Sequence, residues 1–397
     1  MFGPIIIAIA GFLLRVLNLN RPKGLVFDEI YYVDGARDYL RYGVEMSGAN
    51  SEFIVHPPVG KWLIAIGIKL FGDNEFGWRI SAAIAGTICI YLIGRIALRI
   101  FHNPIWATVA SLLAFLDGFA LVMSRTALLD IFLTTFILLA FNAWLKARYF
   151  ELSLWLGLAL ATKWNAIFYI AGILILEFAL NRNLFRVIKV KFLALAIYPF
   201  TWIGWFLASN GWGRNYSKNP IISFIHYHFE ILNFHTGLTE KHSYQANPFG
   251  WMIMRRPTSF FYQSPNGKSQ EVLALGTPLL WWLSIIALIY LVIVFVKRFE
   301  IDSTIILLGI MAGYLPWFFY QKRTIFTFYA IVFEPFIILA LTYLSKTLYE
   351  RNERFKYLIA SAIGLITLNF YYFMPLFLGQ IIPYQDWLNR MWFKSWI

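Results

Sequence analysis

Hydrophobic segments recur along almost the whole chain and are separated by short polar stretches. A helix that crosses a bilayer needs about 20 apolar residues. By that length the sequence predicts about eleven membrane spans. They are 3–19, 80–99, 105–123, 127–145, 152–163, 165–180, 192–209, 278–296, 303–320, 324–344 and 357–379. We therefore expect an all-α polytopic membrane protein with one integral membrane domain over residues 1–397.

The fifth predicted span is short and is interrupted at Thr162-Lys163-Trp164-Asn165, so one long kinked helix over 152–180 is the alternative. The basic residues discriminate between the two topologies, because cytoplasmic loops are enriched in Lys and Arg. With eleven spans and a cytoplasmic N-terminus, all four basic clusters lie on the cytoplasmic side of the cell membrane. These clusters are Lys146 and Arg148; Arg182, Arg186, Lys189 and Lys191; Lys297 and Arg298; and Lys346, Arg351, Arg354 and Lys356.

Composition supports the membrane class. Of the 397 residues, 59% are hydrophobic and only 14% are charged, whereas a soluble domain carries about 25% charged residues. The net charge of +13 would suit a nucleic acid. However, the basic residues lie between spans and do not form a basic face interleaved with aromatics, so no nucleic-acid partner is expected.

Two sizeable loops are predicted on the extracytoplasmic side. The first, 20–79, contains the acidic pair Asp28-Glu29 and the His56-Pro57-Pro58 triplet. It also contains an apolar run over 61–71 that is too short to span a bilayer. We interpret this run as an interfacial helix; a buried helix of a small loop domain is the alternative.

The second loop, 210–277, is rich in aromatic residues and contains His226, His228 and His235. No carboxylate or Cys completes a metal-ligand set with these histidines, so we expect contacts with a sugar or peptide and no metal site. The loop is too short for an additional all-β domain of ordinary size. The tail that follows residue 380 is predicted to be an aromatic anchor at the outer interface, through Trp387, Trp392 and Trp396.

The acidic pair is the first candidate for chemistry. Neighbouring side chains point in different directions in regular backbone, so Asp28 and Glu29 are not expected to share one proton as a facing pair. We expect a division of labour, in which one acid catalyses and the other pairs with a cation. The alternative is a structural role for Asp28 as a helix cap.

Under the eleven-span topology, most charges at membrane depth lie on the side opposite the basic loops. Ionisable groups at this depth usually mark a substrate path, and several cations near a carboxylate pair suit an anionic substrate that carries a phosphate. For Asp117, Arg125 and Asp130, a structural ion-pair network is the alternative. The charges in this predicted group are Arg15, Arg79, Asp117, Arg125, Asp130, Lys163 and Arg323, together with the acidic pair.

A series of motifs follows in order along nearly the whole chain. It comprises Phe27-Asp28-Glu29-Ile30-Tyr31-Tyr32, His56-Pro57-Pro58-Val59-Gly60-Lys61, Phe76-Gly77-Trp78-Arg79-Ile80-Ser81, Ser124-Arg125-Thr126-Ala127-Leu128-Leu129-Asp130-Ile131, Phe234-His235-Thr236-Gly237-Leu238, Arg256-Pro257-Thr258-Ser259-Phe260, Thr277-Pro278-Leu279-Leu280-Trp281-Trp282 and Arg323-Thr324-Ile325-Phe326-Thr327-Phe328-Tyr329. This ordered series resembles the protein O-mannosyltransferases. The closing segment 390–397 is similar to the actinobacterial branch of that family.

The resemblance implies a GT-C fold and transfer of mannose from a polyprenyl-phosphate carrier to Ser or Thr on the outer face of the membrane. It implies that Asp28 is the base and that Arg79 is the family's arginine at the start of the second span. Eukaryotic members insert β-trefoil (MIR) domains in the loop that 210–277 occupies here, and no such insertion is expected. The implied partners are the lipid-linked donor, membrane lipids and unfolded secretory proteins near the translocon; no cofactor is expected.

A mechanism follows from the residue types. A phosphodiester leaving group needs cationic stabilisation, which Arg323 and Lys163 are placed to give, and the acceptor hydroxyl needs a base. One base without a second catalytic acid suits displacement with inversion. The predicted substrate-binding residues are Glu29, His56, Arg79, Asp117, Arg125, Asp130, Lys163, His226, His228, His235 and Arg323.

Two other functions fit part of this pattern. A related lipid-linked-sugar transferase that acts on a lipid or glycan acceptor would share the acidic pair and the cations. A lipid-phosphate transporter is the other alternative, but transporters often contain paired repeats with broken helices, and the sequence contains no internal repeat.

Overall fold

The computed structural model describes residues 2–397, most of which are helical. The α-helices are α1 (Phe2–Val16), α2 (Glu29–Tyr42), α3 (Val59–Phe71), α4 (Glu75–Phe101), α5 (Pro104–Phe115), α6 (Gly118–Met123), α7 (Asp130–Trp144), α8 (Tyr149–Leu160), α9 (Ala166–Asn181), α10 (Leu184–Phe200), α11 (Ile203–Leu207), α12 (Pro220–Gly237), α13 (Pro278–Arg298), α14 (Ile301–Tyr314), α15 (Glu334–Arg351), α16 (Phe355–Phe377) and α17 (Tyr384–Leu388). The strands are β1 (Met46–Ser47), β2 (Asn50–Ser51), β3 (Thr258–Gln263), β4 (Lys268–Ala274) and β5 (Ile381–Pro383). Short 3₁₀ helices lie at Pro248–Gly250, Leu315–Phe319, Thr327–Val332 and Lys394–Trp396.

Apolar helices dominate the architecture, as expected for a multi-pass membrane protein. Four segments are long and apolar enough to cross a bilayer, namely Glu75–Phe101, Pro278–Arg298, Ile301–Phe319 and Phe355–Phe377. Helices α1, α5, α7, α8 and α9 are also apolar but shorter. The predicted count of spans stays a prediction, because helix length and composition alone do not place the bilayer.

Helices α8 and α9 run in opposite directions. The Trp144 indole Nε1 and the Tyr149 hydroxyl both donate to the Glu177 carboxylate, at 2.8 and 3.0 Å. Tyr149 begins α8 and Glu177 lies in the last turns of α9, so the chain reverses direction in the turn between them. The interpretation of 152–180 as one long kinked helix is therefore wrong.

Polar and proline residues break some of the predicted spans. Asp117 caps α6, its Oδ1 accepting from the Phe119 amide at 3.4 Å, and thereby divides the predicted span 105–123. Pro199 lies in the last turn of α10 and precedes a second short helix, α11. These interruptions are expected because a helix end needs a capping acceptor and proline has no amide donor.

The basic loops gather at one end of the helix bundle. There the Arg99 Nε donates to Asn142 Oδ1 at 3.2 Å, and the Tyr343 hydroxyl donates to Glu300 at 2.5 Å. The rings of Phe101 and Tyr343 lie 6.2 Å apart. Each basic cluster is adjacent in sequence to one of these contacts or to the Glu177 contacts described above.

The predicted loops 20–79 and 210–277 lie at the opposite end. The first contains α2, the β1–β2 pair and α3. The second contains α12 and the strands β3 and β4, which form an antiparallel sheet with β5 of the tail in the order β3-β4-β5. The fold therefore adds two small sheets to the all-α architecture expected from the sequence.

Helix α3 matches the predicted interfacial run and packs closely on α4. A Cβ atom on Gly67 would lie 2.4 Å from the Gly77 carbonyl oxygen, so only glycine permits this crossing. Ile64 and Ile68 of α3 are buried, whereas Leu70 is 69% exposed. One face of α3 therefore packs on the protein and the other is apolar and uncovered, while its position in the bilayer interface stays a prediction.

Two of the three tryptophans in the predicted aromatic anchor are buried in the protein, whereas Trp392 is exposed and its role as an anchor stays a prediction. Trp396 is fully buried and its indole nitrogen donates to the Met254 carbonyl at 2.7 Å. Trp387 is buried as well and donates to Glu271 of β4 at 2.6 Å. The interpretation of these two residues as interfacial anchors is wrong, because the tail packs against the second loop and their indole groups have partners inside the protein.

Candidate active site

A cavity of about 230 Å³ opens at the end of the bundle that carries the two loops. Five elements contribute polar side chains to it: the segment before α3, the start of α7, the turn between α8 and α9, helix α12 and the loop before Thr327–Val332. These side chains are His56, Asp130, Lys163, Asn165, His235, Thr236 and Arg323. The remaining lining residues are Trp164, Ile167, Phe168, Leu232, Pro316, Trp317, Tyr320 and Tyr329.

Asp28 lies beside this cavity, near Lys163 and Asp130. Burial raises the pKa of Asp28 to about 6, while the Lys163 ammonium opposes that shift, Asp130 adds to it, and a hydrogen bond with Tyr32 opposes it. An ordinary aspartate has a pKa of about 3.9, so this carboxylate is a stronger base than usual. Asp28 occupies the N-cap position of α2 but its side chain makes no capping hydrogen bond, which rules out the capping alternative.

Phe27 holds the backbone on which Asp28 is placed. It has a φ of +47°, in the left-handed region that non-glycine residues rarely adopt. Its ring stacks on Phe260 at 4.9 Å and meets Phe326 and Phe328 edge-on at 5.9 and 5.5 Å. A conformation of this kind persists only when its surroundings enforce it, so these rings of β3 and the segment before α15 position Asp28.

Lys163 and Asp130 form a buried ion pair in the cavity wall. The ammonium donates to both carboxylate oxygens, at 2.9 and 2.8 Å. It also lies 5.2 Å from the centre of the Tyr329 ring. The charge of Lys163 is therefore largely balanced within the protein, although the pair still faces the cavity.

Arg323 differs because its charge is not balanced. Within residues 2–397, no carboxylate lies within ion-pair distance of its guanidinium, and its Nε is buried without a hydrogen-bond partner. Its Nη2 contacts the Nδ1 of His235 at 3.3 Å, and the Nε2 of His235 contacts the Val55 carbonyl at 2.8 Å. Because a carbonyl only accepts, Nε2 carries the proton and Nδ1 accepts from Arg323.

The two cavity histidines are neutral. Burial and the neighbouring Arg323 lower the pKa of His235 to about 4. Burial, aided by Lys163, lowers the pKa of His56 well below its usual range. Their rings lie 5.3 Å apart, so this wall of the cavity is polar but uncharged.

Glu29 and Arg79 are sealed away from the cavity. Both side chains are fully buried, and the guanidinium Nε and Nη2 donate to the two carboxylate oxygens at 2.8 Å each. The remaining three Arg79 donors bond the Leu19, Pro22 and Gly24 carbonyls, at 3.3, 2.9 and 2.9 Å. The carboxylate of Glu29 also accepts from the Ala127 amide at 2.8 Å. This pair joins the first loop to α4 and leaves no free donor for a substrate.

Replacing Glu29 with glutamine is expected to destabilise the fold by about 3–5 kcal/mol, because it leaves the buried Arg79 charge unpaired. Denaturant unfolding in detergent micelles measures the change. As a control, Glu151→Gln removes one partner of an exposed pair with Arg148 and should cost no more than about 1 kcal/mol. Unchanged stability together with weaker donor binding would contradict the structural role.

Three family models match the chain. The "C-terminal four TMM region of protein-O-mannosyltransferase" matches residues 221–396, and two "dolichyl-phosphate-mannose-protein mannosyltransferase" models match 55–205 and 5–74. The polyprenol-phosphate-mannose--protein mannosyltransferase of Mycolicibacterium smegmatis is 30% identical over 99% of this chain and 92% of its own length. This chain belongs to the protein O-mannosyltransferase family.

Solved structures agree with a GT-C fold for this family member. The Saccharomyces cerevisiae Pmt1-Pmt2 complex, bound to the sugar donor, superposes with a TM-score of 0.82 at 14% identity, covering 100% of this chain and 92% of that one. The ArnT structure of Cupriavidus metallidurans, bound to undecaprenyl phosphate, gives a TM-score of 0.65 at 15% identity and covers 97% and 78%. At these identities the likeness establishes the fold alone.

Arg125 and Asp117, also predicted as substrate-binding residues, lie outside the cavity of this mannosyltransferase fold. The Arg125 guanidinium donates to the Leu17 and Asn18 carbonyls at the end of α1, at 2.9 and 3.0 Å. Asp117 accepts from the Thr277 amide at 2.9 Å and the Trp281 indole at 3.1 Å. These contacts are structural, but they are not the ion-pair network given as the alternative, because within residues 2–397 they join the two charges to backbone groups and an indole.

His226 and His228 are also separated from the catalytic side of the cavity. His226 stacks on Tyr216 at 3.7 Å on the far face of α12. His228 bonds the Tyr198 hydroxyl at 2.8 Å, which also accepts from the Trp164 indole at 2.9 Å. His228 therefore supports the wall behind Trp164.

Sequence reasoning missed Asn165, whose side chain lines the cavity two residues after Lys163. The signal was present, because the polar turn 162–165 interrupts two apolar segments at the level of the other site residues. Nothing in the sequence distinguishes Asn165 from an ordinary turn asparagine.

Among residues 2–397, no three His, Cys, Asp or Glu side chains are grouped as metal ligands. The expectation that no metal takes part stays a prediction.

Proposed function

We propose that this family member transfers mannose from polyprenyl-phosphate-mannose to Ser or Thr hydroxyl groups of proteins, with inversion at the anomeric carbon. One observation carries the proposal: an unpaired guanidinium, Arg323, and a basic carboxylate, Asp28, flank the same cavity. The full-length relatives, which are named polyprenol-phosphate-mannose--protein mannosyltransferases, support the donor and the protein acceptor.

The proposed reaction begins with deprotonation of the acceptor. The Asp28 carboxylate takes the proton of the acceptor hydroxyl while the hydroxyl oxygen attacks the anomeric carbon of mannose. The bond between that carbon and the phosphate oxygen breaks at the same time, and polyprenyl phosphate departs with the bonding electrons. The other candidate acid, Glu29, is held in its pair with Arg79, which favours Asp28 as the base.

Arg323 stabilises the charge that develops on the leaving phosphate. A preorganised donor at such a position contributes about 10²–10³-fold in rate. Lys163 supplies weaker stabilisation because Asp130 already binds its ammonium. We propose that no metal ion is needed, since these two side chains provide the cationic stabilisation.

The lipid chain of the donor would leave the cavity between α9 and α12. Ile167 and Leu232 line the cavity there and are 42% and 46% exposed, so the opening is apolar, and we propose that it faces the bilayer. The basic loops lie at the other end of the bundle, and such loops are usually cytoplasmic. We therefore propose that the protein lies in the cell membrane with its site on the extracytoplasmic side. We propose also that it acts on unfolded secretory proteins near the translocon.

Membranes that contain the protein, incubated with radiolabelled polyprenyl-phosphate-mannose and a Ser/Thr peptide, test this function. Label should appear on the peptide, and a matched peptide with Ala at every Ser and Thr should remain unlabelled. Release of all label by mild alkaline β-elimination would confirm linkage to a hydroxyl. Label found only in lipid or glycan would favour the second candidate, a lipid-linked-sugar transferase with a different acceptor.

The rate is expected to depend on pH through Asp28. The base must be ionised, and its pKa is raised to about 6, so kcat/KM should fall about tenfold per pH unit below pH 6 and level off above it. His235 and His56 titrate well below this range and should add no second midpoint. A profile that stays flat to pH 5 would contradict Asp28 as the base.

A further inference from the structure

Three polar atoms in the cavity wall have no hydrogen-bond partner among residues 2–397. They are His56 Nδ1, Asn165 Oδ1 and Arg323 Nε, and all three are buried. Buried polar atoms are nearly always hydrogen-bonded, and each exception calls for an explanation. Three such atoms around one cavity are explained if a polar ligand completes their hydrogen bonds.

The three groups differ in chemistry and therefore suit different parts of a ligand. Arg323 only donates and is cationic, so it fits an anion. The Asn165 carboxamide both accepts and donates, and within residues 2–397 it makes no side-chain hydrogen bond. The His56 ring is neutral and can also accept or donate. Asn165 and His56 are therefore uncharged groups that can each donate and accept hydrogen bonds. Two such groups suit neighbouring hydroxyl groups of a ligand, because a hydroxyl also donates and accepts.

Aromatic rings also line this cavity. Trp317 and Tyr329 stack on each other at 4.6 Å with an angle of 27° between their planes, and both line the cavity. Trp164 lines it beside Asn165. Such rings offer apolar surface next to polar groups, which matches a pyranose with one C–H face and a rim of hydroxyls.

We propose that Asn165 and His56 form a hexose-recognition subsite, with Asn165 as a specificity-determining residue. Arg323 forms the adjacent phosphate subsite. This assignment rests on the proposed function, since it takes the ligand to be the sugar of a lipid-phosphate donor. The subsite would discriminate between hexoses because a sugar hydroxyl in the wrong orientation leaves the buried Asn165 amide without a hydrogen bond. The free-energy cost of that unpaired amide makes a polar pocket selective.

Direct binding tests the subsite without requiring transfer. Quenching of tryptophan fluorescence is measured with purified full-length protein in detergent and three ligands: polyprenyl-phosphate-mannose, polyprenyl-phosphate-glucose and sugar-free polyprenyl phosphate. In the Asn165→Leu variant, Kd for the mannose donor should rise about 10–100-fold, the range for an unpaired buried polar group. Kd for sugar-free polyprenyl phosphate should change less than about twofold, and the preference for mannose over glucose should shrink.

Two further variants guard against a folding defect. Asn165→Asp keeps an oxygen acceptor and should bind the mannose donor more tightly than Asn165→Leu does. Asn181→Leu changes an exposed asparagine at the far end of α9 and should leave Kd for all three ligands unchanged. Equal weakening of sugar-free and sugar-bearing ligands, or no change in Kd for the mannose donor, would overturn the proposal. If the wild type transferred no mannose, the proposed function alone would be overturned. The Kd values for the three ligands are measured without any transfer and would still test the subsite.

Discussion

Replacement of Asp28 with asparagine is expected to reduce mannosyl transfer by about 10²–10⁴-fold, the usual contribution of a positioned base. The carboxamide has nearly the same shape but cannot accept the proton of the acceptor hydroxyl. Because the Asp28 side chain makes no capping hydrogen bond, the fold and the amount of protein in the membrane should be unchanged. The rate is measured with labelled donor and a Ser/Thr peptide under saturating conditions.

Asp34 provides a matched control for this experiment. It lies on the same helix, α2, and is exposed apart from a long contact of 3.8 Å with Arg37. Asp34→Asn should retain full activity. If Asp28→Asn retained more than about a tenth of the wild-type rate, another group would have to act as the base.

Replacement of Arg323 with alanine is expected to reduce kcat/KM for the donor by about 10²–10³-fold. The guanidinium is the cavity cation without a carboxylate partner, so its loss removes net positive charge where the phosphate is proposed to bind. Affinity for sugar-free polyprenyl phosphate should fall as well, which separates this effect from that of Asn165. Donor titrations that yield KM and kcat separately measure both contributions.

Lys322 is the natural control, since it precedes Arg323 and its side chain is exposed. Lys322→Ala should leave donor KM within about twofold, because screened surface charges contribute little. Arg323→Lys should recover part of the activity, as the charge is retained but the contact with His235 Nδ1 is lost. Unchanged donor affinity in Arg323→Ala with a lower kcat would instead assign Arg323 a purely catalytic role.

The charged residues expected to form one substrate site divide into two groups in the fold. Asp28, Asp130, Lys163 and Arg323 lie together at the cavity. The second group is hydrogen-bonded inside the protein, where it connects the end of α1, the first loop and α4; it comprises Glu29, Arg79 and Arg125. A buried guanidinium requires several acceptors. The carbonyls at the end of α1 and in the loop that follows it supply them to Arg125 and Arg79.

The sequence by itself was sufficient for the membrane class, the family and the loop that carries Asp28. Apolar length, the spacing of basic clusters and the order of motifs are properties of the linear chain, so no tertiary contact is needed to recognise them. It also placed Lys163 in a turn between two helices, since a polar interruption of an apolar segment is a local signal.

Only the tertiary structure decided which charges remain available to a substrate. Arg79, Arg125 and Arg323 look alike in sequence. Folding brings carbonyl and carboxylate acceptors to Arg79, carbonyl acceptors to Arg125, and the neutral ring of His235 to Arg323. The same holds for Asn165, whose unpaired amide becomes visible only when every neighbouring group has been placed. Hydrogen-bond satisfaction is a property of three-dimensional surroundings, and for that reason the free cation and the hexose subsite could be inferred only from the folded protein.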